Sequence, residues 1–530
     1  MRRWNGWGDD TFELAIPEGA EDFLADRIGE GSLLESASLD HVLAKVPATR
    51  MPEHSLINVD PEVRVRHARG QSLPDWLAMR SGDFGVFPDG VAFPESSEQV
   101  RELLQFAEQE DVIVIPYGGG TSVAGHITPE VSDKPVLTID MGRMNRLMDL
   151  NLESQIATFG AGTPGPEVES QLRVRGYTLG HFPQSFELST VGGWVVTRSS
   201  GQQSLRYGRI EQLFAGGKIE TPQGTLDIPT FPASSAGPDV REMVLGSEGR
   251  MGIITETKVR VTPLAEKEKF YVVFFPSWEQ ACSAVRALAQ QKIQLSMVRL
   301  SNAVETETQL ALAGHPKGIA WLERYLALRG ARDGKCMMTF GVTGSKAQFS
   351  SGYRLAKKVI RKYNGVSTGT YLGNKWAAKR FSFPHIRETL WEMGYAVDTL
   401  ETATDWDNVD NLLSKIEGSL RYGLKDEGES VHVFTHLSHV YGQGSSIYTS
   451  YAYRVADDYA GTLARWKKLK HAASTAITEN NGTISHQHGV GMDHAPYLPV
   501  EKGELGMRAI KTLCREFDPD GRMNPGKLFR

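Results

Sequence analysis

Cysteine is scarce. The 530 residues hold three, Cys282, Cys336 and Cys514, with no CxxC pair, which excludes a disulfide scaffold and a zinc framework and suits a reducing compartment. No stretch approaches the roughly 20 consecutive apolar residues that a membrane-spanning helix needs. The opening MRRWNGWGDDTFEL has two arginines but no apolar core of an export signal, and the closing GKLFR is not a serine-lysine-leucine address. A cytoplasmic location is the expectation. Charge of one sign is not in excess either: 58 basic against 64 acidic residues leave a net charge of −6, so no broad positive face awaits nucleic acid. Repeats and low-complexity linkers are missing, and the sequon at Asn481, Gly482 and Thr483 reads as a turn.

What is present is the composition of an ordinary globular enzyme, 40% hydrophobic and 23% charged, with 54 glycines and 25 prolines. A chain of this length exceeds one hydrophobic core. The pattern predicts an extension over 1–85 that carries little chemistry, a first α and β domain over 86–265, a second over 266–480 and a returning segment over 481–530. Ser96 and Ser97 precede Val100, Leu103, Leu104 and Ala107 at helical spacing, and an apolar strand follows at 112–115. Further strands are expected at 136–140, 156–159 and 252–261, with a helix over 166–174. In the second domain the expected strands are 270–275, 297–300, 337–342, 431–440 and 447–453, and the helices 279–290, 346–362 and 456–479. That alternation predicts an antiparallel sheet covered by helices.

The 112–115 strand runs into PYGGGTSVAG at 116–125. Successive glycines let backbone N–H groups converge on an anion, although a glycine run alone is more often only a turn. It lacks a P-loop lysine and the GxGxxG spacing of a dinucleotide fold. Four segments follow in order: QSFELSTVGG at 184–193, TRSSG at 197–201, GSEGRMGIITE at 246–256 and DPDGRMNPGK at 518–527. This ordered set resembles the FAD-binding domain of the vanillyl-alcohol-oxidase-like flavoproteins. The resemblance implies an α+β fold: a PCMH-type FAD-binding domain of two subdomains beneath an α/β cap with an antiparallel sheet. It also implies that FAD is held by Pro116, Tyr117, Gly118, Gly119, Gly120, Thr121, Ser122, Gln184, Ser185, Ser189, Thr190, Thr197, Arg198, Ser199, Ser200, Glu248, Gly252, Ile253 and Ile254. Thr121 stands where some relatives attach the flavin through histidine, and threonine cannot form that bond, so non-covalent FAD is expected.

From about residue 85 onward the sequence is most similar to the alkyldihydroxyacetonephosphate synthase family, through YGGGTSV at 117–123, STVGGW at 189–194, YGRIE at 207–211, GPD at 237–239 and SHQHGVG at 485–491. The resemblance implies exchange of the acyl group of acyl-dihydroxyacetone phosphate for a fatty alcohol, without net oxidation, in ether-lipid synthesis. Tyr448 then takes the place of an acid–base tyrosine, Arg299 and Arg387 hold anionic parts of the substrate, and His486 and His488 polarise groups or move protons. Without the resemblance, Tyr448 reads as a core tyrosine and the arginines as surface ion-pair partners. No metal site is expected, since Asp493 and His494 near those histidines lack zinc spacing.

One position departs from the family: Gln487 stands where animal members carry the middle of three histidines, and an amide cannot exchange a proton near neutral pH. This keeps open a second reading, an FAD-linked dehydrogenase or oxidase of a 2-hydroxy acid or phosphorylated polyol, with His439 or His488 as base. SHVYGQG at 438–444 weakly resembles the hairpin of D-lactate dehydrogenase relatives, but Gln443 and Ser445 replace their Asp and Asn. A flavin-holding protein without turnover is the third reading. The expected partner is a small phosphorylated or lipid-like molecule, with contact at a membrane surface and a homodimer among the arrangements the resemblance allows.

Overall fold

A computed structural model describes residues 2–12, 14, 15, 19–313 and 316–529. Ser96 caps the helix Ser97–Gln109 by accepting from the Gln99 N–H. Val100, Leu103, Leu104 and Ala107 line one face of that helix and are buried against Val114, Leu137 and Ile139. The chain then enters the strand Ile113–Tyr117, the edge of a four-stranded sheet ordered Ile57–Asn58, Gly90–Ala92, Val136–Asp140, Ile113–Tyr117. Its last three strands run parallel. A second sheet, antiparallel, is ordered Leu147–Asn151, Ile156–Gly160, Ile253–Arg260, Phe214–Thr221, Gly224–Ile228. The two sheets form the two halves of a PCMH-type domain.

Over this domain lies a seven-stranded antiparallel sheet ordered Val366–Ser367, Lys267–Phe275, Cys336–Gly344, Met297–Ser301, His432–Leu437, Gly444–Arg454, Tyr395–Asp405. Helices Trp278–Gln290, Lys346–Lys362, Val409–Arg421 and Tyr459–Glu479 contribute to the core packed against it. The expected elements recur with shifts of a few residues. Several strands escaped the pattern, among them Phe214–Thr221 and Tyr395–Asp405. In Phe214–Thr221 the pair Gly216 and Gly217 looks like a turn, but a Cβ on Gly217 would collide with the Glu256 carbonyl of the neighbouring strand, so the glycines permit close pairing. In Tyr395–Asp405 the charged Asp398 and Glu401 interrupt an apolar run, yet both are buried.

The chain's outer segments join these domains. Ile57–Asn58 pairs with Gly90–Ala92. The Asn524 N–H donates to the Val114 carbonyl at 2.8 Å, and Met523 lies in the core of the first sheet. Among the described residues no helix is long and apolar enough to cross a membrane.

Candidate active site

A cavity of about 290 Å³ lies between the first domain and the cap, with the glycine loop on its wall. The strand Ile113–Tyr117 fixes where that loop begins. On its side-chain face the loop is pressed against the segment before Val191: a Cβ on Gly118 would collide with Thr190 Oγ1, and one on Gly119 with the Leu188 carbonyl. Gly120 has φ +65°, a left-handed conformation. Among the described residues, the N–H groups of Gly119, Gly120, Thr121 and Ser122 donate to no protein acceptor. Four consecutive free donors on a cavity wall are suited to an anion such as a pyrophosphate.

Of the cofactor-binding residues expected from sequence, Pro116, Tyr117, Thr121, Ser122, Gln184, Ser185, Ser189, Thr190, Thr197, Ser199, Ser200, Glu248, Gly252, Ile253, Ile254 and the three loop glycines all line this one cavity. Arg198 does not. It adopts φ +52° at the end of the helix Val191–Thr197, and its guanidinium turns away to Glu242 at 2.5 Å and the Leu245 carbonyl at 3.1 Å. Thr190 caps that same helix through the Gly193 N–H. Glu248 accepts from the N–H groups of Val490 and Gly491 at 2.5 and 2.7 Å, tying the cofactor wall to the histidine loop.

The opposite wall comes from the cap. Tyr448, on the strand Gly444–Arg454, lines the cavity and donates its hydroxyl to Thr399 Oγ1 at 3.1 Å. Burial pushes its phenol up to about 12 despite that bond. Its ring stacks on His436 at 4.9 Å and meets His488 edge-on at 5.6 Å. His488 also lines the cavity, and burial lowers its pKa, so its ring is neutral near pH 7. Arg387 lines the cavity with its guanidinium on Asp398 at 3.1 Å and on the Gln71 carbonyl at 2.6 Å. The loop bearing the histidines is built around a buried carboxylate. Glu401 accepts from the N–H groups of His486, Gln487 and His488 at 2.9 to 3.1 Å, and from Ser485 Oγ at 2.8 Å.

Two expected residues stand behind the wall. His486 does not line the cavity: its Nε2 is 2.6 Å from both the Tyr441 hydroxyl and Arg209 Nη1. Arg209 is a permanent donor, so that nitrogen is an acceptor and is not available to shuttle protons. Arg299 is neutralised by Glu305 at 2.6 Å and contacts His436 Nδ1 at 3.2 Å. It supports Tyr448 through His436 and does not line the cavity. His439, the other base considered for a dehydrogenase, has both ring nitrogens engaged, with Ser438 Oγ at 2.9 Å and the Gly201 carbonyl at 3.2 Å. Gln487, by contrast, lines the cavity, and its buried Oε1 has no hydrogen-bond partner.

Sequence reasoning missed Trp7, Gln71, Trp76, His126, Asp398, Thr399 and Asn524, all of which line the cavity. His126 lies 2.6 Å from Ser122 Oγ through Nδ1 and 3.1 Å from Glu248 through Nε2. Asn524 donates to the carbonyls of His126 and Glu248 at 3.0 and 2.7 Å. Asn524 stands inside the DPDGRMNPGK segment at 518–527 without being singled out there, and only the glycine before His126 hinted at that position.

Comparison with known proteins agrees with this geometry. Residues 88–227 match the family of FAD binding domains, and residues 264–528 match the C-terminal domain of FAD linked oxidases. The alkyldihydroxyacetonephosphate synthase of Dictyostelium discoideum is 30% identical over 99% of this chain and 93% of its own length. The enzyme of the same name from Trypanosoma brucei brucei is 27% identical over 99% and 92%. A solved alkyldihydroxyacetonephosphate synthase superposes with a TM-score of 0.84 at 26% identity, covering 99% of this chain and 98% of that one. The protein is an FAD-dependent enzyme of the linked-oxidase fold. Within that fold it belongs to the alkyldihydroxyacetonephosphate synthase family. Its cavity fits the cofactor: the free N–H groups lie on its wall, and Ser200 Oγ, buried there, has no partner among the described residues.

Proposed function

We propose that this protein exchanges the acyl group of an acyl-dihydroxyacetone phosphate for a long-chain alcohol. When bound, FAD would supply the reactive centre for an exchange that involves no net oxidation. Gly119, Gly120, Thr121 and Ser122 bind its pyrophosphate, with Thr121 leaving the flavin unattached. The observation that carries the proposal is the juxtaposition of Tyr448 and His488 on one cavity wall. His488, neutral near pH 7, accepts the proton beside the ketone. Tyr448, with a phenol that stays protonated, donates one to the departing group and regains one from the entering alcohol, while His488 returns its proton to the substrate carbon. Arg387, oriented by Asp398, holds the phosphate. Gln487 offers an uncharged hydrogen-bonding group where other members have an imidazole.

Against His439 as the base of a dehydrogenase stands its engagement by Ser438 and Gly201. A fatty alcohol would bring the protein to a lipid surface, which the helix Pro316–Leu328 supports by exposing Trp321 at 69% and Leu328 at 86%. The test follows flavin absorbance anaerobically while acyl-dihydroxyacetone phosphate and hexadecanol are added, with released fatty acid assayed in the same sample. Fatty acid release with the oxidised spectrum regained supports exchange. Absence of release, with lasting bleaching by a hydroxy acid or glycerol phosphate, overturns it in favour of a dehydrogenase.

A further inference from the structure

Residues 2–12, part of an extension whose sequence gives no hint of chemistry, cross the cavity from one domain to the other. At one end Arg2 Nη2 donates to the Gly119 carbonyl at 2.6 Å, inside the cofactor loop, and the Arg2 carbonyl accepts from Arg66 at 2.9 Å. In the middle, Trp7 forms part of the cavity wall and is only 4% exposed. Its backbone N–H donates to Glu388 Oε1 at 3.1 Å, and the preceding Gly6 carbonyl accepts from Gln71 Nε2 at 3.1 Å. Glu388 lies next to Arg387 on the cap helix Ile386–Glu392 and also pairs with Arg80 and with Arg3. At the far end Phe12 packs on His385 at 4.3 Å between ring centres.

The fit is close. A Cβ on Gly6 would collide with the Glu388 carboxylate, and one on Gly8, where φ is +76°, with the His385 ring. The segment thus contacts the cofactor loop through Arg2 and the substrate-facing cap through Trp7 and Arg3. The indole N–H of Trp7 is buried and has no partner among the described residues, as expected for a wall residue whose acceptor arrives with a ligand.

We infer that residues 2–12 form a strap that closes the cofactor and substrate cavity, with Arg2 as a clamp on the glycine loop and Trp7 as a wall beside Arg387, so that FAD leaves only after the strap lifts. This rests on the cofactor and not on which reaction is catalysed. It goes beyond the proposed exchange, because the strap holds the two domains together over whatever substrate is bound.

The test uses purified holoenzyme and follows the rise in flavin fluorescence as FAD dissociates on dilution. Arg2→Ala and Trp7→Ala are expected to speed release by about tenfold or more, the loss of a charged hydrogen bond to the loop or of the wall ring. Arg2→Lys should restore a release rate within about threefold of the parent, because the cation again reaches the Gly119 carbonyl. Release rates in Arg2→Ala and Trp7→Ala that match the parent would overturn the strap. If Trp7→Ala does not fold, as circular dichroism would show, Arg2→Ala decides alone, since its side chain is exposed and its loss leaves the core intact.

Discussion

The backbone N–H of His488 donates to the carboxylate of Glu401 at 3.0 Å, and that one carboxylate also accepts from His486 and Gln487. The wall that carries the proposed catalytic His488 is therefore shaped by a residue that does not line the cavity. Glu401→Ala would leave the N–H groups of His486 and Gln487 without an acceptor, each costing roughly 1–3 kcal/mol where buried, while the His488 N–H keeps Ser485 Oγ at 3.1 Å. The expected outcome is a loss of several kcal/mol in urea unfolding, together with loss of exchange. Unchanged stability would remove Glu401 from this role.

Tyr448→Phe deletes the hydroxyl that meets Thr399 while keeping the ring stacked on His436. FAD content should stay at the parental level and turnover should fall by roughly 10²–10⁴-fold, the size of a lost acid–base group. Single-turnover fatty acid release with a stoichiometric flavin assay checks both halves.

Gln487→Leu tests the unpartnered amide. Loss of one neutral hydrogen bond to substrate costs roughly 0.5–1.5 kcal/mol, so KM should rise by about 2–10-fold with kcat little changed. Gln487→His should keep exchange and add an ionisation to the pH profile that the parent lacks.

Stability should depend steeply on pH below neutrality. Burial lowers His181 and His439 to about 3 and His432 to about 4, each from 6.5. In that window the unfolded chain binds these protons and the folded chain does not, so stability is full above pH 6.5 and falls with pH by about 1.4 kcal/mol per group per unit. Asp493 opposes this. Burial raises its carboxyl from 3.8 to about 7, so its contribution is present at low pH and lost as pH rises through 7. Three histidines against one carboxyl leave the net trend downward on acidification, and urea midpoints at pH 7.5 and 5.0 should show it.

How far the site was legible depended on sequence distance. The glycine loop and the segments around Ser189 and Glu248 announce themselves because their chemistry sits within a few consecutive residues, whereas Tyr448 is marked only by the family resemblance. Arg299 and His486 looked functional because their partners do not stand out in the sequence: Glu305 is six residues from Arg299 but on the helix Ala303–Ala311, the His436 that joins Arg299 to Tyr448 is 137 residues away, and Arg209 is 277 residues from His486. Trp76 and Asp398 appear as a core aromatic and a stray charge until the cap folds over them. The strands Phe214–Thr221 and Tyr395–Asp405 were hidden for the same reason, since their glycines and carboxylates answer to neighbours across the sheet.

The cavity draws on Trp7 and on Asn524, which sets a timetable for biosynthesis. At roughly 5–20 residues per second on the ribosome, the segment holding Trp7 emerges about half a minute to two minutes before Asn524 is made. The first domain can begin to fold in that interval, but a finished pocket must wait until Asn524 has been made, so the cavity closes only after both of these distant segments are available.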